Sequence, residues 1–252
     1  MNFVRYLICK LNLAIGLKKW QRAIAIISLT IGLLVFNPTS AQAETSVTLD
    51  TANDLVKVAT VYKTKPETQD RVVSEVLKFE ESTLPQTSGL VNSSVLKGQD
   101  GTEVVALTQW QDLDSFEAYS QEYLDDAPQI EPAQTFVFEV QKAETKGKQP
   151  VITESGNIMF SQFKMKDPEQ QAELAGIIEQ MMPTAFATVP GLQWAAMSPS
   201  TDKSTIAMIA RWNSREDFES LGKNAGFDKE TNYWQTYADN EHDLFDVVEI
   251  IR

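Results

Sequence analysis

Trp110 and Trp212 are the strongest site candidates in this sequence, because they recur at one spacing and aromatic rings line small-molecule pockets. A large aromatic residue in such a position also closes the core between a sheet and its helices, and duplication alone accounts for the recurrence. The second half of the chain adds Trp194, Tyr233, Trp234 and Tyr237, together with the Met181-Met182 pair. Trp234 and Tyr237 stand three apart, so on a helix they share a face. These residues make the second half the richer candidate for an apolar pocket, and they equally suit a core stripe of Met and aromatics. The single histidine, His242, stands in Asp239-Asn240-Glu241-His242-Asp243. Neighbouring acids raise an imidazole pKa toward the range of a general base. No nucleophile or metal partner sits at a readable spacing, so His242 reads as a solvated residue before the last strand. Asp125-Asp126 and Glu241/Asp243 lack the D-x-D-x-D-G pattern of a calcium loop and read as surface. No metal site and no cofactor are predicted.

The elements that must position these residues come in two copies. A shift of 102 residues aligns Pro66-Glu67 with Pro168-Glu169, Gln69 with Gln171, and Gly89-Leu90 with Gly191-Leu192. The same shift aligns Asp100 with Asp202, Trp110 with Trp212, and Phe116-Glu117 with Phe218-Glu219. So long a period is a duplicated domain, not a solenoid. Further on, Phe138-Glu139-Val140 aligns with Val248-Glu249-Ile250 at an offset of 110, which predicts about eight extra residues near 225–243 in the second copy.

Each copy reads as β-α-β-β-α-β. Val56 to Lys63 and Ile158 to Met165 are β-rich and enter a helix through Pro66 or Pro168, a residue suited to the first helical turn. Asp167 is a good N-cap, whereas Lys65 is not. Val72, Val73, Val76 and Leu77, then Leu174, Ile177, Ile178 and Met181, follow the spacing of a buried helix face. A strand opened by Gly-Leu, a polar turn and a strand ending in the tryptophan follow, with Asp112 and Ser214 capping the second helix. Thr135 to Gln141 and Phe245 to Ile251 are the last strands. This order implies a four-stranded antiparallel sheet with both helices on one face. The expected architecture is α+β, two ferredoxin-like modules packed sheet to sheet as an intrachain dimeric α+β barrel. The predicted boundaries are 44–54 for an N-terminal extension, 55–142 for the first module, 143–155 for an aperiodic linker and 156–252 for the second module.

Residues 1–43 read as a signal peptide. Arg5, Lys10, Lys18, Lys19 and Arg22 form a positive region without acids, Ala23 to Phe36 is apolar, and Ala41-Gln42-Ala43 supplies the cleavage pattern. The expected location is periplasmic or secreted, with membrane contact only through an uncleaved signal segment. Cys9 leaves with that segment, so the mature chain has no disulfide or thiolate nucleophile. The mature chain carries 17 basic and 35 acidic residues, a net charge of −18, which argues against nucleic acid as a partner.

Three stretches carry a family resemblance. In the second copy these are Lys166-Asp167-Pro168-Glu169, Val189-Pro190-Gly191-Leu192 and Ala210-Arg211-Trp212-Asn213-Ser214-Arg215-Glu216-Asp217-Phe218; the first copy keeps a weaker version around Ser88-Gly89-Leu90 and Trp110. The pattern resembles the antibiotic biosynthesis monooxygenase (ABM) family of the dimeric α+β barrel superfamily. The resemblance implies a cavity lined by the tryptophan that ends strand three, and oxidation of phenolic or polycyclic substrates by O2 without metal or flavin. It makes Trp212 the lead catalytic candidate, with Arg211 able to bind an oxyanion and Gln162 at the strand-one position. Adjacent strand residues face opposite ways, which sets Arg211 against Trp212. The expected ligand-binding set, from the repeated tryptophan and the aromatic and Met content of the second copy, is Trp110, Trp194, Trp234, Tyr237 and Met181. Haem-degrading relatives use an asparagine on strand one and a histidine on the second helix. The positions here are Thr60 or Gln162, and Thr231, so haem degradation is not expected. The expected ligand is a small apolar or aromatic molecule, oxidised or, in the alternative reading, only bound. The second copy is expected to hold the site, with a longer second helical region, and the first to cover its sheet.

Overall fold

Stretches rich in Val, Ile, Thr and aromatic residues fit a pleated, half-buried surface and become the strands. The computed structural model describes residues 46–49, 51–83, 86–123, 134–223 and 233–252. A short strand β1 (Ser46–Thr48) precedes the first module: β2 (Val56–Lys63), α1 (Gln69–Thr83), β3 (Leu90–Gly98), β4 (Glu103–Trp110), α2 (Leu113–Tyr123) and β5 (Gln134–Phe138). Two further strands, β6 (Lys142–Thr145) and β7 (Val151–Thr153), lead to the second module. That module comprises β8 (Asn157–Met165), α3 (Gln171–Thr188), β9 (Leu192–Pro199), β10 (Thr205–Trp212), α4 (Arg215–Glu219) and β11 (Ala238–Ile251). The stretch expected to be an aperiodic linker therefore contains β7 and most of β6.

The repeated residues do repeated work. Gln69 and Gln171 are buried, and each Nε2 donates to two backbone carbonyls of the following β-turn: Gly98 and Glu103 at 2.8 and 2.9 Å, Ser200 and Thr205 at 3.1 and 2.8 Å. Gly89 and Gly191 hold φ of +81° and +78°, and a Cβ there would strike Ser115 or Asp217 in the opposing helix. Asp112 and Ser214 cap α2 and α4 by accepting from the backbone N–H of Ser115 and Asp217.

Nine strands form one antiparallel sheet in the order β5-β2-β4-β3-β11-β8-β10-β9-β6. Each module contributes four neighbouring strands, and the modules join edge to edge where Phe245–Ile251 of β11 pairs with β3. The two ends of the sheet, β5 and β6, are consecutive pieces of one chain segment, and Phe138 bridges to Ser200. The sheet therefore curls back toward itself. The relation is reciprocal: residues 134–138 pair within their own module and 142–145 with β9 of the other, as β11 does with β8 and then β3.

One buried cluster fills the inside of the curl with side chains from both modules, including Val61, Leu107, Phe136, Phe160, Ile209 and Phe245. This is the shared sheet-to-sheet core of an intrachain pseudo-dimer. β1 and β7 pair as a small separate sheet, and Val47, Leu49 and Ile152 join that core. Alternate side chains point outward and pack beneath the helices of each module in separate clusters.

Strand pairing corrects the alignment of the copies at two places. Val56 pairs with Trp110 while Asn157 pairs with Trp212, so strand one is offset by 101 residues, not 102. Lys57 pairs with Phe138 and Ile158 with Phe245, so the last strands are offset by 107, not 110. The second copy thus carries five extra residues before its last strand, and β11 starts at Ala238, ahead of the expected Phe245. In the region expected to hold a longer second helix, α4 spans five residues and 3-10 turns follow at 221–223 and 233–236, with 224–232 outside the described residues.

Candidate functional site

In the second module a cavity lies between the outer face of the sheet and α3. Its inner part, about 90 Å³, is walled by Met181 and Met182 of α3, Leu192 and Ala195 of β9, Ala210 and Trp212 of β10, and neighbouring apolar residues. It shares Met159, Ile178, Met208, Leu221 and Tyr233 with an outer cleft of about 830 Å³, a volume suited to a small organic molecule. The outer cleft adds Phe163, Phe218 and Trp234, and on one side Ser161, Asn240 and His242. Burial pushes the Tyr233 hydroxyl up to about 12, so it stays protonated and able to donate.

Trp212 is buried, and its indole Nε1 has no hydrogen-bond partner among the described residues. Its counterpart differs. Trp110 is fully buried and donates from Nε1 to Thr108 Oγ1 at 2.8 Å. Both rings meet the aligned phenylalanine edge-on, Phe116 at 5.6 Å and Phe218 at 5.7 Å, so they sit alike on their sheets. The residue two before the tryptophan is Thr108 in one module and Ala210 in the other. The alanine removes the acceptor and opens space at the same point. An unpaired buried donor costs about 1–3 kcal/mol, which a ligand acceptor would recover.

The other expected site residues divide by strand face. Met181 and Trp234 line the cavity with Trp212; Trp234 packs edge-on against Phe163 at 6.0 Å. Arg211 and Trp194 do not. Arg211 faces the inside of the curl, where Nη1 lies 3.3 Å from Thr153 Oγ1, and Trp194 Nε1 donates to the Val151 carbonyl at 3.0 Å. Those two line a separate polar pocket of about 260 Å³ with Gln149, Gln193 and Asn213. Gln162 is buried on that inner side, opposite Ala207. The strand-one residue facing the cavity is Ser161, because the one-residue offset turns every strand-one side chain to the other face. Tyr237 packs at the edge of the helix-side core and donates its hydroxyl to Glu173 at 2.7 Å. Trp110 belongs to the equivalent layer of the first module, closed over by Phe116 and Tyr119. Thr231 and Asp125-Asp126 lie outside the described residues.

Ser161, Asn240 and His242 were not legible as site residues. His242 is part of β11, directly opposite Ser161, and its ring packs edge-on against Phe218 at 5.8 Å. The alternation Asn240-x-His242 was a signal for a shared strand face, hidden because the strand begins earlier than its apolar stretch.

Fold and cavity together define a pseudo-dimeric α+β barrel with a pocket between sheet and helices in one module. Residues 55–124 match the family described as Antibiotic biosynthesis monooxygenase. The match falls on the first module, whereas the fuller residue pattern lies in the second. Among solved structures, the fold is similar to an anthrone oxidase-like protein at 17% identity, covering 82% of this chain and 95% of that one with a TM-score of 0.66. It is also similar to a candidate monooxygenase from Fusobacterium nucleatum at 14% identity, covering 80% and 95% with a TM-score of 0.54. No curated protein matches. The first module matches that family, and a tandem duplication within the chain supplies both halves of the barrel.

Proposed function

We propose that this chain is exported and that its second module binds a small, flat aromatic or quinone-type molecule and oxidises it with O2 without a bound cofactor. The observation that carries the reading is the unpartnered indole N–H of Trp212, beside Ala210, at the wall of an apolar cavity. A flat ligand with an acceptor oxygen matches that wall. The family match and the anthrone oxidase-like fold neighbour support the direction. In such a reaction an activated CH2 of the substrate becomes C=O, one oxygen atom of O2 enters the product and the other leaves as water. The protein's contribution is a dry apolar cleft and a donor for the charge that develops on the ring oxygen. Ligand binding without turnover is the second reading, favoured by the absence of any charged residue among those lining the inner cavity.

The test combines quenching of tryptophan fluorescence by a hydroxyanthraquinone with oxygen uptake on anthrones and hydroquinones. Trp212→Phe keeps the ring and removes the N–H; it is expected to weaken binding about 10-fold. Unchanged binding in this variant overturns the role of the indole, and binding by wild type without oxygen uptake selects the second reading. Export is tested by N-terminal sequencing of the protein recovered from outside the cytoplasm, with Glu44 expected first.

A further inference from the structure

The polar side of the outer cleft is built from three side chains that determine one another. His242 and Ser161 are directly paired across β11 and β8, and Asn240 stands two residues before His242 on the same face. Asn240 Nδ2 donates to Ser161 Oγ at 2.8 Å and to the Gln162 carbonyl at 3.2 Å. A carbonyl oxygen only accepts, so the amide NH2 must lie at that end and Oδ1 at the other. Oδ1 is 2.7 Å from His242 Nδ1, which must therefore carry the proton. A neutral imidazole protonated at Nδ1 leaves Nε2 as a free acceptor. Phe218 holds the ring by an edge-on contact, and the same phenylalanine packs against Trp212. The imidazole and the indole thus both contact one phenylalanine, the indole at the inner part of the cavity and the imidazole at the outer cleft.

We infer that His242 is the proton acceptor of this cleft, and that Asn240 and Ser161 are positioning residues that fix its reactive tautomer. The inference rests on the oxidation proposed above. In the step it serves, an O–H or activated C–H bond of the substrate breaks and its proton moves to Nε2. The electron pair stays on the substrate as phenolate or enolate, the species that O2 can oxidise. O2 then adds to the carbanionic carbon, forming the C–O bond of a peroxide anion that the imidazolium protonates. The neutral ring next takes the remaining C–H proton as that electron pair forms C=O and the O–O bond breaks, and the departing hydroxide takes up the proton to leave as water. His242 is exposed on the cleft, and its partial desolvation there holds the pKa below its ordinary value against the opposing effect of Asp243, so the neutral ring prevails near pH 7. Its strand neighbour Asp243 turns to the opposite face, where it accepts from the Asp100 backbone N–H, while Glu219 from α4, which pairs with Arg215 at 3.6 Å, and Tyr233 line the same cleft. Glu241 turns to the opposite side, to Lys63 and Lys164.

His242 is the only histidine in the chain, so an untagged, 15N-labelled sample reports its tautomer directly. The expected signal is Nδ1–H with unprotonated Nε2 in wild type, moving toward Nε2–H in Asn240→Leu. Oxygen uptake on an anthrone is expected to fall about 100-fold or more in His242→Gln, with partial rescue by added imidazole in His242→Ala. Hydroxyanthraquinone binding should stay within about 2-fold of wild type, the opposite of Trp212→Phe, for which binding is the first loss. The wild-type rate should rise with pH along a limb centred below the ordinary histidine value, and His242→Gln should lack that limb. A wild-type Nε2–H tautomer, or uptake and pH profile unchanged in His242→Gln, overturns this inference alone. A wild type that consumes no oxygen sinks the oxidation reading and this inference with it.

Discussion

The two modules have the same outline, but the layers between sheet and helix are opposites in chemistry. At aligned positions the first module has Glu80, Thr83, Ser93, Thr108 and Tyr119 where the second has Met182, Ala185, Ala195, Ala210 and Leu221. In the first, Ser93 Oγ donates to the buried Glu80 carboxyl, Thr108 accepts from Trp110, and Thr83 Oγ1 donates to the Phe79 carbonyl at 2.9 Å. Burial pushes Glu80 up to about 7, and burial together with Glu80 pushes the Tyr62 and Tyr119 hydroxyls up as well. In the second module all five of these residues line the inner cavity. After a duplication, one copy has closed this layer with side chains that satisfy one another. The other carries shorter or apolar ones at the same positions, leaving room and an indole N–H without a partner among the described residues. The difference that makes the site is therefore the lack of polar partners in the second module, which leaves a pocket with a donor in its wall.

The largest effect that separates the copies is expected at Glu80. Its folded-state pKa of about 7 lies above the ordinary 4.5, so between those values the folded protein holds a proton that the unfolded chain has released. Stability must therefore fall as pH rises through that window and level off above it. Glu80→Gln should be more stable than wild type by about 3 kcal/mol at about pH 8, and the gain should vanish at about pH 4. Urea unfolding at both pH values measures this; a difference that does not change with pH breaks the picture of a neutral buried acid in module one. Next comes Ala210→Thr, which gives Trp212 the partner that Trp110 has. Hydroxyanthraquinone affinity is expected to fall about 10- to 100-fold with stability kept, and an undiminished affinity would place the ligand elsewhere. The smallest effects concern what the copies share. Asp112→Ala and Ser214→Ala each remove a helix cap and should cost about 1 kcal/mol apiece in thermal unfolding. A clear inequality would show that the short α4 depends on its cap differently from the longer α2.

How legible the site was depended on which strand carried the residue. On β10 the tryptophan, its cap and the opposing faces of Arg211 and Trp212 followed from alternation and local turn chemistry. On β8 the same logic misplaced Gln162. One extra residue between that strand and Pro168 lets the helix keep the 102 offset while the strand slips to 101, and a one-residue slip exchanges inward and outward faces. On β11 the polar first half, Ala238 to Asp243, shows no apolar alternation because that part faces a cleft and solvent more than a core. His242 was hidden there.

The duplication, the β-α-β-β-α-β order, the caps, the glycines at +81° and +78°, and the paired buried glutamines were determined by sequence alone, because each depends on contacts within one module and on local backbone sterics. Joining the modules through reciprocal exchange of the last strands, pairing β1 with β7, and bringing Trp212, Ser161, Asn240 and His242 to one cavity were decided by the tertiary structure. Those outcomes depend on strand register, and register is set by which faces find cover once the whole sheet has curled, a condition that no single segment contains.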